Sequence, residues 1–191
     1  MRIIAGQFRG RRLLSPKGAA IRPTSDRARE ALFDILEHGE PRLRGARFLD
    51  LFCGTAAVGI EACSRGAALV LLIESDPDAL RLAKANLARI GTPPDVRLMA
   101  GDAARLGAAP QRFHLVFLDP PYGSGLAQPA LAGLQGGWLA PGARIVVELA
   151  ARETLEQPET FSVEQERRYG AARFVFLRPK AAPDRIVRLE G

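Results

Sequence analysis

The tetrapeptide Asp119-Pro120-Pro121-Tyr122, reached at the end of the apolar run 113–118, combines residue types that can act on an exocyclic amino group. Such a nitrogen is a poor nucleophile because its lone pair is delocalised into the base. A carboxylate oxygen and a backbone carbonyl that accept its two N–H groups favour the pyramidal form that can react. Asp119 and the Pro120 carbonyl are suited to those roles. The two prolines hold φ near about −65° and remove backbone donors, so the turn is stiff and its carbonyls stay available. Tyr122 adds a ring on which a base lifted from its stack can lie. Taken alone, the same residues also read as a strand followed by a proline-stiffened turn with an aromatic plug.

A second constellation lies upstream. The apolar stretch Phe48-Leu49-Asp50-Leu51 runs into Phe52-Cys53-Gly54-Thr55-Ala56-Ala57-Val58-Gly59, a small-residue loop that leads into a helix and lets backbone amides approach a ligand. It departs from the dinucleotide pattern G-x-G-x-x-G because alanine stands at position 56, where the middle glycine belongs. The departure disfavours a pyrophosphate, and with it a nicotinamide oxidoreductase. S-adenosylmethionine fits better, with its ammonium against Asp50 and its carboxylate on the loop amides. Glu74 closes the next apolar strand, where it can accept from both ribose hydroxyls. Asp102 closes a third and can receive an adenine amino group. Each acid alone also reads as a helix cap or turn residue, as do Asp76 and its neighbours. Four acids at four strand ends, Asp50, Glu74, Asp102 and Asp119, match the rule that ligands of open α/β sheets sit outside the carboxyl ends of the strands.

These residues need elements to carry them. From residue 47 onward strands and helices alternate: strand 47–51, helix 56–65, strand 68–74, helix 77–90, strands 95–99 and 113–118, helix 127–135 and strand 143–149. The pattern predicts a largely parallel sheet covered on both faces by helices. Two strand-like runs, 160–169 and 171–178, separated by Gly170, predict an antiparallel hairpin at the edge. Ahead of the repeat, Thr24 or Ser25 can cap a helix whose apolar side is Ala28, Ala31, Leu32, Ile35 and Leu36, ended by Gly39 and Pro41. Residues 2–5 and 11–14 can pair as short strands. The expected organisation is a basic N-terminal extension over 1–23, a catalytic domain over 24–178 and a tail over 179–191.

At 191 residues, 47% apolar and 25% charged, the chain has the make-up of a globular domain with a substantial core. It has no apolar run long enough to span a bilayer and no recognisable signal peptide, which points to the cytoplasm. Cys53 and Cys63 offer neither metal spacing nor a disulfide framework, and His38 and His114 have no partner at ligand spacing, so no metal is expected. The net charge of +6 is unevenly placed. Residues 1–30 carry eight basic side chains against two acids, while the other 161 residues carry 19 of each. A segregated basic element is the footprint expected for a polyanionic substrate.

The opening Arg2-Ile3-Ile4-Ala5-Gly6, then Arg9-Gly10-Arg11, the block Arg22-Pro23-Thr24-Ser25-Asp26-Arg27 leading into Arg29-Glu30-Ala31-Leu32-Phe33, the loop Asp50-Leu51-Phe52-Cys53-Gly54-Thr55 and the Asp119–Tyr122 tetrapeptide follow one another in an order that resembles the RsmD-type bacterial 16S rRNA guanine-N2 methyltransferases. The likeness runs from Arg2 to about residue 178. It implies a class I S-adenosylmethionine-dependent methyltransferase fold, with a mostly parallel seven-stranded sheet and an antiparallel C-terminal hairpin. The implied substrate is one guanine of 16S rRNA within a partly assembled small subunit, acted on by a monomer. By the same resemblance Asp50, Phe52, Cys53, Gly54, Thr55, Glu74 and Ser75 hold the cofactor, Asp102 and Ala103 its adenine, and Asp119, Pro120, Pro121 and Tyr122 the target base. Arg22 and Thr24 belong near the mouth of the site, and Arg2, Arg9, Arg11, Arg12 and Arg27 on the RNA. Family members generally carry glycine where this chain has Ala56, and alanine is accommodated there if φ is negative. Adenine-N6 methylation of DNA or RNA uses the same pocket chemistry and stays open, as does a non-catalytic RNA-binding role in ribosome assembly.

Overall fold

The computed structural model describes residues 1–16, 26–156 and 158–180. In chain order the elements are α1 (Asp26–His38), β1 (Arg47–Leu51), α2 (Ala57–Ser64), β2 (Leu69–Glu74), α3 (Pro77–Arg89), β3 (Val96–Ala100), a short 3-10 turn (Ala103–Arg105), β4 (Phe113–Leu118), α4 (Ala127–Leu134), β5 (Leu139–Ala150), β6 (Phe161–Tyr169) and β7 (Ala172–Pro179). The strands form one seven-stranded sheet in the order β3-β2-β1-β4-β5-β7-β6. Neighbours from β3 to β5 are parallel, and β7 pairs antiparallel with both β5 and β6. This is the class I methyltransferase arrangement that the alternating pattern and the resemblance led us to expect.

Both faces of β1, β2, β4 and most of β5 are buried, which is why these strands read as near-continuous apolar runs, whereas the edge strand β3 is largely exposed. On one face Phe48, Val70, Leu72, Leu115 and Phe117 pack with Leu32, Phe33 and Leu36 of α1 and with Ile60 of α2. On the other, Leu49, Leu51, Ile73, Val116 and Leu118 pack with Leu131 and Leu134 of α4 and with Trp138. The buried stripe of α1 is Ala28, Arg29, Leu32, Phe33 and Leu36, displaced from the one the spacing predicted, since Ala31 and Ile35 are only half-buried. The displacement turns an arginine inward.

Asp76 caps α3, its Oδ1 accepting from the Asp78 and Ala79 N–H groups at 2.9 and 2.8 Å, with Pro77 at the first helical position. Gly59 lets α2 lie close on the sheet: a Cβ there would stand 2.1 Å from a Leu72 methyl and 3.1 Å from Asp50 Oδ2. β5 begins at Leu139, ahead of the expected start near 143, because the chain passes Pro141 and Gly142 with a shift in register against β4 instead of breaking the strand.

Residues 1–16 form an arm that crosses α2 and α3. The two expected strands meet at one antiparallel bridge, Arg2 with Arg12, flanked by hydrogen bonds from Ile3 N to Arg11 O at 3.0 Å and from Leu13 N to Met1 O at 3.1 Å. A longer ladder is pre-empted because Glu61 of α2 takes the Ile4 and Ala5 N–H groups at 2.8 and 2.9 Å. Ser64 takes Phe8 N at 3.0 Å, and Ile3 and Leu13 join the main core. The expected cap at Thr24 or Ser25 falls outside the described residues.

Candidate active site

A cavity of about 560 Å³ opens at the carboxyl ends of β1, β2 and β4. It sits where the strand order reverses between β1 and β4, the switch point at which open α/β sheets bind ligands. Of the residues singled out from sequence, Phe52, Cys53, Gly54, Thr55, Glu74, Ser75, Asp102, Asp119, Pro120, Pro121 and Tyr122 line it. Asp50 and Ala103 do not: both are buried, Asp50 beneath the loop and Ala103 in the 3-10 turn.

The loop between β1 and α2 is held from three sides. Cys53 N donates to Ile73 O at 3.1 Å, extending the β1–β2 pairing past the strand end. Gly54 N donates to Glu74 Oε2 at 2.8 Å, and the Thr55 carbonyl accepts from Asn86 Nδ2 of α3 at 2.9 Å. The chain turns back on itself with φ of +61° at Phe52, +52° at Gly54 and +62° at Ala56. Ala56 therefore adopts a left-handed conformation, so the negative φ under which alanine is readily accommodated is not met. Its Cβ is fully buried in the core, and the left-handed backbone costs roughly 1 kcal/mol.

Glu74 Oε1 accepts from Ser75 N and Asp76 N at 2.8 and 2.9 Å while Oε2 holds Gly54. Three of the roughly four lone-pair positions of a carboxylate are thus used on backbone, leaving one directed acceptor for a ligand. Asp102 Oδ1 caps the 3-10 turn through Ala104 N at 2.9 Å, and the exposed carboxylate also borders the cavity. Asp50 is 1% exposed, and its Oδ2 accepts from Gly59 N at 2.8 Å. Burial pushes its carboxyl up to about 8, against the Gly59 hydrogen bond and with the Glu74 charge adding to the rise.

Asp119 follows β4, and its N–H donates to Leu51 O at 3.3 Å, which seats the turn beside the end of β1. Burial holds the Asp119 carboxyl well above the usual range, and the charges of Glu148 and Asp50 push it further. Glu148, 2% exposed on β5, is a member of the site that the sequence reading missed. β4 and β5 pair Leu118 with Val147, so Asp119 and Glu148 are the next residues along. The Tyr122 hydroxyl donates to Glu148 Oε1 at 3.1 Å, which ties the exposed ring to a central strand. The available signal was a lone acid inside the apolar run 145–149.

Arg29 was also missed as a cavity residue. It lines the wall with Met1, Gly54 and Thr55 and is 1% exposed. Its Nη2 donates to the Arg2 carbonyl and, at 2.9 Å, to Asp26 Oδ1. The arm carries Arg2, Arg9, Arg11 and Arg12 at the surface, and Arg27 is exposed at the start of α1. Arg11 lies over the Phe8 ring at 5.4 Å. Arg22 and Thr24 lie outside the described residues.

Known proteins resemble both this sequence and this fold. The family model described as conserved hypothetical protein 95 matches residues 1–178. Ribosomal RNA small subunit methyltransferase D of Escherichia coli is 38% identical over 170 residues, covering 87% of this chain and 84% of that protein. The protein of the same name from Haemophilus influenzae is 34% identical over 175 residues, covering 89% of each. A solved structure described as the methyltransferase yhhF from Escherichia coli superposes with a TM-score of 0.80 at 35% identity, covering 95% of this chain and 99% of that one.

Proposed function

Since the chain belongs to the family of conserved hypothetical protein 95, whose relatives include ribosomal RNA small subunit methyltransferase D, we propose that it methylates the exocyclic N2 of a guanine in small-subunit rRNA, with S-adenosylmethionine as donor. The observation that carries this reading is the position of Asp119, tied to β1 at the switch-point cavity with Tyr122 at its mouth.

The cavity suits the donor. Its charged lining is acidic apart from Arg29, with Glu74, Asp76, Asp102 and Asp119, which complements a ligand that carries a sulfonium and an ammonium. Glu74 offers its remaining acceptor to the ribose, and Asp102 offers Oδ2, 3.6 Å from Arg105 Nε, to the adenine amino group. Phe52, Cys53, Gly54, Thr55 and Ser75 provide walls and backbone contacts, with Ala103 behind them. Asp50 acts indirectly, since through Gly59 it fixes where α2 starts. When bound, the donor supplies an electrophilic methyl group.

The remaining work falls to the turn. Asp119 and the Pro120 carbonyl accept the two N2 hydrogens of the extruded guanine, which directs the nitrogen lone pair into the cavity. Tyr122, held by Glu148, supplies the stacking plane, and Pro121 keeps the turn rigid. Asp119, raised by burial among acids, is a better proton acceptor than an ordinary carboxylate once methylation has acidified N2. Arg2, Arg9, Arg11, Arg12 and Arg27 offer cations to phosphates, with Arg22 and Thr24 assigned to the same surface by sequence. Replacing Arg9, Arg11 and Arg12 together by glutamine is expected to weaken RNA binding and lower the slope of log affinity against log salt by about 2 to 3; an unchanged slope places the phosphate contacts elsewhere.

The direct test is incubation with labelled S-adenosylmethionine and either naked 16S rRNA or small subunits lacking the modification, followed by digestion and identification of the labelled nucleoside. N2-methylguanosine is the expected product, and the substrate that yields it tells whether ribosomal proteins complete the binding surface. Label on adenine overturns the guanine assignment. Cofactor binding without transfer to either substrate supports a role in assembly without catalysis.

A further inference from the structure

Arg29 is the one cationic side chain among the described residues that line the cavity, and its guanidinium is only partly used. Nη2 serves the Arg2 carbonyl and Asp26. Nε stands 3.8 Å from Glu61 Oε2, inside ion-pair range but beyond a hydrogen bond. Nε and Nη1 are both buried and have no hydrogen-bond acceptor among the described residues. Neither nearby carboxylate is dedicated to Arg29. Glu61 also serves two arm amides and Arg65 Nε at 2.8 Å, and Asp26 is half-exposed. A buried charged donor without an acceptor is costly, and because Arg29 belongs to the wall of a ligand cavity, an acceptor on the ligand would relieve that cost.

A second feature converges on the same wall. Thr55, Ala57 and Val58 border the cavity at the start of α2, an eight-residue helix whose N-cap, Ala56, makes no side-chain capping hydrogen bond. The first-turn N–H groups of such a helix favour an anion. The four acids elsewhere on the wall disfavour a ligand that is anionic throughout and favour one whose single negative group sits at one end.

We infer that Arg29 is the seat for the α-carboxylate of the bound ligand, so that the site selects an intact amino-acid end and rejects analogues without one. The inference rests on the reading of the cavity as an S-adenosylmethionine site. Arg29 supplies the charge and α2 the backbone donors. By holding Arg2 O, the same guanidinium places the carboxylate seat against the arm.

Titration calorimetry with S-adenosylhomocysteine and its decarboxylated analogue tests this without turnover. The unaltered protein is expected to prefer the carboxylate-bearing ligand by about 10- to 100-fold. Arg29→Gln is expected to weaken S-adenosylhomocysteine by most of that factor, leave the decarboxylated ligand within about threefold, and so abolish the preference. Because removing the charge leaves Glu61 undercompensated, Arg29→Lys serves as a second variant: it keeps a cation but loses the fork, and should retain only part of the preference. Equal affinity of the unaltered protein for both ligands overturns the carboxylate seat while leaving the cofactor reading intact. A full preference retained in Arg29→Lys, or in folded Arg29→Gln, moves the seat away from Arg29. Failure of the unaltered protein to bind either ligand, or S-adenosylmethionine itself, overturns the cofactor reading and this inference with it.

Discussion

Two groups of buried acid in this molecule are treated in opposite ways. Glu61 is fully buried but surrounded by compensation: two backbone amides of the arm, Arg65 at 2.8 Å and Arg29 at 3.8 Å. Asp50, Asp119 and Glu148 gather at the carboxyl ends of β1, β4 and β5, where the charges of Asp50 and Glu148 raise Asp119. The first group is an anchor, in which charge fastens one segment to another. The second gathers acids beside an open cavity, where burial and mutual repulsion push Asp50 and Asp119 toward the protonated form, an arrangement that costs stability and that a cationic ligand relieves. A residue's burial alone therefore says little; what else neutralises it separates structure from chemistry.

The comparison breaks most visibly at the anchor. Glu61→Ala removes the buried carboxylate shared by Arg29 and Arg65, leaving them only the more exposed carboxylates of Asp26, Asp34 and Glu37, and frees the arm. It is expected to lower stability in urea unfolding by about 3–5 kcal/mol, and a loss under about 1 kcal/mol would show that Glu61 is no anchor. At the site the effect should fall on turnover instead. Asp119→Ala is expected to reduce methyl transfer by about 100- to 1,000-fold or more while calorimetric affinity for S-adenosylhomocysteine is kept. Substantial turnover in that variant refutes the role given to Asp119.

Asp50 sharpens the contrast through pH. Its folded carboxyl is raised to about 8 from an ordinary value of 3.8, so the folded state holds a proton that the unfolded chain has released. The stabilisation is fully present below the ordinary value and is lost as pH climbs toward 8. Asp50→Asn, which retains an acceptor for Gly59, should therefore be more stable than the parent at pH 8, by on the order of 2 kcal/mol, with the gain fading by about pH 4. A gain that grows on acidification contradicts the sign. The smallest effect is expected at the rim. Tyr122→Phe removes the bond to Glu148 but keeps the ring, and should cost about fivefold in turnover, whereas Tyr122→Ala removes the stacking plane and should cost more. Indistinguishable phenylalanine and alanine variants would mean that the ring itself contributes nothing.

Sequence reading recovered the elements from β1 to β7 because their signals are local: apolar runs for doubly buried strands, Asp76-Pro77 for a helix start and Gly170 for a hairpin turn. The acids at the strand ends were legible for the same reason. Arg29 was not, because a helical arginine ordinarily reads as solvated; it is buried here by contact with the arm, 27 residues away at Arg2. Glu148 sits inside an apolar strand whose neighbours give no hint that Asp119 lies alongside, a fact of sheet order alone. The sign of φ at Ala56 depends on three tertiary hydrogen bonds to the loop and escapes any local rule.

The arm's attachments also set a schedule for the chain during synthesis. Ile4 and Ala5 wait for Glu61, and Leu14 finds both its partners on Asn86, 72 residues downstream. At about 5–20 residues per second this is a delay of roughly 4–14 s after Leu14 is made. During that interval the most basic stretch of the protein can lie only on α2, through Glu61 and Ser64, and it completes its docking only when α3 has emerged.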